Sequence, residues 1–239
     1  MLWYKFWLES WQRFLLSLTG LVLFAISYAL YTKSIASRPI SSKDHYFLLF
    51  IAHQYFVGLW MLAVVLLGMG SILQERATGI SQFTLALPVN RRRLASVRLG
   101  IFLVEAIALA AAPWIALVIA AHDRGQPWSI PQAVYFDSLL IGGGLAYLGL
   151  VFLVSSLIEG VYTAPVVAFG SIAIIQILCN TVSWLKPFNF LRLAGGYKYV
   201  DPSTWLITKP FPWPEVLISM ALLACTFEVS IRAIERREF

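Results

Sequence analysis

Six long stretches of this chain are almost purely apolar, and each is close to the length of a helix that crosses a lipid bilayer. A helix spanning ~30 Å of hydrocarbon needs about 20 mainly apolar residues. Residues 14–31, 47–72, 99–120, 136–157, 162–182 and 216–233 meet that requirement. Their apolar residues run continuously instead of alternating, which favours helices over a transmembrane barrel. The second stretch is long enough to tilt or to project beyond the bilayer. Composition agrees: 59% of the residues are hydrophobic and 13% charged, where soluble domains carry about a quarter charged residues. The fold class expected is therefore an all-α membrane protein of six transmembrane helices in one domain, residues 1–239, with no length left for a soluble catalytic domain.

Basic residues suggest the orientation. An even number of spans puts both ends on one side. That side would carry Lys5, Arg13, Arg76, Arg91, Arg92, Arg93, Arg98, Arg232, Arg236 and Arg237, packed into short segments near helix ends. The other side's basic residues are spread over three longer loops. Both termini and the 74–98 loop are accordingly expected in the cytoplasm.

Residues 1–13 read as an interfacial helix. Trp3, Phe6, Trp7, Trp11 and Phe14 can share an apolar face, and Lys5, Glu9, Gln12 and Arg13 form a polar stripe. Tryptophan favours the headgroup level, and such a helix lies in the membrane plane. The first span is too long for a signal-peptide core and is expected to be retained.

The loop after the second span is more ordered than a connection needs to be. Glu75 and Arg76 end the span, Gly79 allows a bend, and Ile80, Phe83, Leu85 and Leu87 offer a short apolar surface. Pro88 stops any helix, and Asn90 can cap a third helix opening with Arg91, Arg92 and Arg93. Those arginines suit phospholipid headgroups or acidic groups on a partner; ordinary anchoring at the cytoplasmic face explains the run taken alone.

Glu75-Arg76-Ala77-Thr78-Gly79, followed after a short gap by Leu85-Ala86-Leu87-Pro88-Val89-Asn90-Arg91, resembles the loop between spans two and three of ABC transporter permeases of the type-2 exporter superfamily. Asn90 stands where serine is frequent in that family. The terminal Ile234-Glu235-Arg236-Arg237-Glu238-Phe239 resembles the charged tail of many such subunits, and the layout of the whole chain agrees. The resemblance implies that the loop forms a cytoplasmic coupling helix resting on an ATPase subunit, with Glu75, Arg76, Thr78, Gly79, Phe83, Leu87, Pro88, Arg91, Arg92 and Arg93 as contact residues. It implies a membrane-embedded unit of two permease subunits, alike or different, driven by two copies of the ABC ATPase, in the cytoplasmic membrane of a bacterium. The chain itself has no Gly-x-x-x-x-Gly-Lys-Ser/Thr phosphate loop, so ATP and Mg are expected on the partner. This chain is expected to be no enzyme, to hold no cofactor, and to contact membrane lipid but no nucleic acid. The alternatives are a stand-alone ion-coupled transporter or a non-transporting scaffold.

Polar residues inside the spans are the remaining candidates. Glu105 lies deep enough that a carboxylate is costly unless paired or protonated. It either lines a polar cavity and meets a cationic substrate, or pairs with an arginine such as Arg98. Gln176 and Asn180, one turn apart, share a face and can bond across a subunit interface or line a path. Glu228 and Arg232 have the spacing of an ion pair. Gly142, Gly143, Gly144 and Gly149 let the fourth span approach a neighbour, and His53 and Gln54 make a polar spot. Three scattered histidines build no metal site, Cys179 and Cys225 no disulfide framework, and no hydrolase triad is visible. The aromatic-rich segment 183–214 is expected at the outer interface; the resemblance adds short surface or re-entrant helices there, one of them capped by Asp201-Pro202-Ser203.

Overall fold

In hydrocarbon each backbone N–H and C=O must be satisfied within its own segment, so apolar runs of this length become helices. A computed structural model describes residues 2–35, 42–68, 91–122, 129–158, 160 and 162–236. They form α1 (Leu2–Ile35), α2 (Ser42–Leu67), α3 (Arg91–His122), α4 (Ile130–Leu157), α5 (Thr163–Thr181), a 3₁₀ segment (Ser183–Phe188), the short α6 (Phe190–Ala194) and α7 (Trp213–Arg236). Six of these are long and apolar enough to cross a membrane. No strand occurs among the described residues, only an isolated bridge between Val200 and Ile207.

Helix limits follow local chemistry. Among the described residues α3 runs from Arg91, so the arginine run is helical. α4 starts earlier than its apolar run, because Pro131 sits in its first turn behind Ser129, where a missing N–H costs nothing. The segment expected to be a separate interfacial helix is instead the first third of α1, one unbroken helix of 34 residues. No glycine or proline precedes Gly20 to interrupt it. At 1.5 Å per residue α1 is about 51 Å long, well beyond the ~30 Å of the bilayer core.

Contacts give the helix directions. Residues 24 and 28 of α1 meet residues 55, 56 and 48 of α2, so those helices are antiparallel. α1 and α3 run parallel, since a side chain on Gly100 would strike Trp3 and Glu105 meets Ser10. α4 is parallel to α7, with Gly142 against Val216 and Gly149 against Leu223. The start of α1, the start of α3 and the end of α7 therefore lie at one end of the bundle. α4 is the most enclosed span, while α1, α5 and α7 are the most exposed.

Glycine makes α4 the hub. A Cβ on Gly143 would lie 2.7 Å from the Phe190 carbonyl oxygen and 2.8 Å from the Ala194 nitrogen. The backbones of α4 and α6 touch there, which no side chain permits. Gly144 leaves room for the Trp60 ring, whose Nε1 donates to the Ala106 carbonyl at 2.8 Å. This close approach is the role expected of the glycine run.

Candidate functional site

Two groups of polar residues occupy opposite ends of the bundle. Arg92 and Arg93 are exposed in the first turn of α3. The Arg92 guanidinium lies 3.2 Å from Glu228 Oε2, and Arg232 Nε lies 3.5 Å from Glu228 Oε1. The pair read from the four-residue spacing in α7 is thus present and has gained a second arginine from α3. Arg91 opens the helix. The other residues expected to meet an ATPase (Glu75, Arg76, Thr78, Gly79, Phe83, Leu87 and Pro88) lie outside the described residues.

Beside this end, the start of α1 rests on α3. Phe6 is buried with Leu94 and Ile101, and both Lys5 and Arg98 lie over its ring, 5.7 and 5.5 Å from the centroid. Trp3, Tyr4, Trp7, Ile101 and Val104 line an apolar groove of about 300 Å³. Glu105 is 1% exposed, and its carboxyl accepts the Ser10 hydroxyl. Among the described residues its partner is therefore a serine on α1, and not Arg98 or another arginine. A hydroxyl suffices because burial at a helix–helix contact favours a short neutral donor over a long cation that must also be desolvated.

At the other end, the chain between α5 and α7 folds back onto the bundle. Gln176 donates to Tyr147 Oη at 2.6 Å and to Asn189 Oδ1 at 3.2 Å. Asn189 Nδ2 donates to Asn180 Oδ1 at 3.1 Å. Tyr147 Oη also accepts the Leu191 N–H at 3.2 Å, and Asn189 Oδ1 the Arg192 N–H at 3.0 Å. Gln176 and Asn180 are thereby tied to the start of α6 within the chain. His53, fully buried, donates from Nε2 to the Ala194 carbonyl at 2.7 Å, and Gln54 donates to the Gly195 carbonyl at 2.7 Å. The polar spot expected at 53 and 54 holds the end of α6, where helix carbonyls lack intrahelical partners.

The two short helical segments fit what the resemblance implied for 183–214. Asp201 caps no helix, however: it accepts from the Ser203 N–H and hydroxyl, both at 2.9 Å, closing a turn. Two polar residues flanking a proline satisfy each other locally.

Two residues of this arrangement carry no mark in the sequence. Ser10 and Tyr147 are ordinary until the helices are assembled. Asp137 sits two turns into α4, with Oδ1 buried and lacking a hydrogen-bond partner among the described residues; a carboxylate inside an apolar run was its available signal. Among the described residues no group of three or more His, Cys, Asp or Glu could hold a metal ion. Comparison of the chain with family models, curated proteins and solved structures returns no match.

Proposed function

We propose that the chain is the permease subunit of an ATP-driven transporter, an exporter in which two such subunits are powered by two separate ABC ATPases. The observation that carries this reading is the segment from Glu75 to Arg91, which resembles the coupling loop of type-2 exporter permeases and ends on the first residue of α3. α3 runs unbroken from Arg91 to His122, about 48 Å at 1.5 Å per residue. A displacement of the preceding segment would pass along this helix toward the opposite face, at least as far as Pro113, which lies inside it. The Arg92–Glu228 contact would share it with α7. The side bearing Arg91, Arg92 and Arg93 is cytoplasmic in this reading, by the excess of basic residues near helix ends, and the membrane is the bacterial cytoplasmic membrane.

The test is purification of the native protein in mild detergent. A soluble ATPase should be retained, and its ATP hydrolysis should respond to the membrane subunit. Glu75→Ala and the Arg91→Gln/Arg92→Gln/Arg93→Gln variant should break that response while the melting temperature of the bundle stays within a few degrees. Recovery of the protein without any ATPase, or unchanged coupling in those variants, overturns the reading.

A further inference from the structure

Lys186, Arg192 and Lys198 line one cavity of about 180 Å³, closed by Pro187, Asn189, Leu193, Tyr199 and Glu215. Among the described residues none of these three cations forms an ion pair. We infer that this cavity is a binding site for a phosphate group, presented by a soluble phosphate or by a phospholipid headgroup.

Charge is the first argument. Three cationic residues and one carboxylate line the cavity, and the lysine and arginine side chains are exposed while Asn189 and Tyr199 are buried. Like charges held around one hollow repel one another unless an anion sits between them. A guanidinium offers a planar fork that fits two phosphate oxygens, and ammonium groups supply freely rotating donors for the rest.

The floor is built and rigid. Asn189, 5% exposed, is held by Gln176, Asn180 and the Arg192 N–H at 3.2, 3.1 and 3.0 Å. Arg192 thus projects from a turn whose backbone is fixed by the Asn189 side chain. Lys198 is held from behind, because the Lys209 ammonium donates to its carbonyl at 2.6 Å. That contact adds a further positive charge close to the rim. Tyr199 Oη lies 3.4 Å from Glu215 Oε1, a long contact from which the hydroxyl can turn toward a ligand.

Size and position narrow the class. A volume of about 180 Å³ equals roughly six waters at ~30 Å³ each. That suits a tetrahedral oxyanion with some of its hydration, and excludes an acyl chain or a drug-sized molecule. Glu215 precedes Glu228 by 13 positions on α7, or about 20 Å along the axis. The cavity therefore opens at the end of the bundle opposite the Arg92–Glu228 contact, near the far headgroup layer. The inference does not depend on the transporter reading.

Two arms test it, both on the full chain purified in a phosphate-free maltoside detergent. In the first, inorganic phosphate is titrated at constant ionic strength and followed by calorimetry. In the second, native mass spectrometry follows retention of phosphatidylglycerol added to the same micelles. Saturable binding of one equivalent in the first arm identifies a soluble phosphate, and in the second alone a headgroup; each supports the site. Arg192→Gln should weaken binding at least tenfold, as should the Lys186→Gln/Lys198→Gln pair, which replaces exposed side chains and leaves the fold intact. Glu215→Gln should tighten it severalfold by removing the opposing charge. Absence of saturable binding in both arms, or equal binding by the wild type and the lysine pair variant, overturns the inference.

Discussion

Nε2 of His53 lies 2.7 Å from the carbonyl oxygen of Ala194, across 141 residues of sequence. A carbonyl only accepts, so Nε2 carries a proton and donates it. The imidazole is packed against Phe136 and Trp114, with ring centroids 4.5 and 5.9 Å away. Together with Gln54 it ties α2 to the end of α6, and so holds the 183–214 segment onto the bundle.

Removing that donor leaves a buried carbonyl without a partner, at a cost of about 1–3 kcal/mol. His53→Leu should lower the melting temperature of the purified protein and speed proteolysis within 183–214. Gln54→Leu should act in the same direction but less, because Gln54 is only partly buried. Unchanged melting and proteolysis in His53→Leu would show that the contact contributes nothing.

The glycines of this fold are not equivalent. Gly143→Ala drives a methyl against the backbone of Phe190 and Ala194; overpacking of this kind costs about 1–3 kcal/mol. A Cβ on Gly170 meets nothing within 4 Å, so Gly170→Ala should be neutral or stabilising by up to ~1 kcal/mol through helix propensity. Opposite shifts in melting temperature are expected, and shifts of the same sign would refute the packing at Gly143.

Tyr147→Phe strands two donors at once, the Gln176 amide and the Leu191 N–H. The expected loss is about 1–3 kcal/mol. The more specific readout is hydrogen exchange: the amides at the start of α6 should exchange faster, while those in α3 should not.

Tyr199 supplies a pH dependence. Burial, helped by the charge of Glu215 and its contact with the hydroxyl, pushes the phenol up from 10.0 to about 12. The unfolded chain ionises first as pH rises, so the stability attached to this group is complete below about 10 and lost on approaching 12. Melting temperatures taken across that window should fall for the wild type and fall less for Tyr199→Phe.

What could be read along the chain was what depends on neighbours in sequence. The six spans follow from runs of apolar residues, and all six are present as helices among the described residues, although α1, α3 and α4 begin well before their apolar runs, at Leu2, Arg91 and Ile130. The Glu228–Arg232 pair follows from helical spacing. The close approach at residues 142–149 follows from side chains too small to hold helices apart. The unbroken α1 was equally legible, since no glycine or proline marks a joint near residue 13; the aromatic face suggested an interfacial element, but nothing in the backbone required a break.

Pairings across helices were not legible. Ser10 and Glu105 are 95 residues apart, and His53 and Ala194 are 141. Which polar groups meet depends on the rotation and register of each helix about its neighbours. Those are set by where α4 lets α2, α6 and α7 come close, through the summed packing of many side chains. Local sequence determined that these segments cross the membrane as helices, because lipid leaves the backbone no other way to satisfy its hydrogen bonds. Only the tertiary structure decided that Glu105 would face a serine, and that two lysines and an arginine would gather around one cavity.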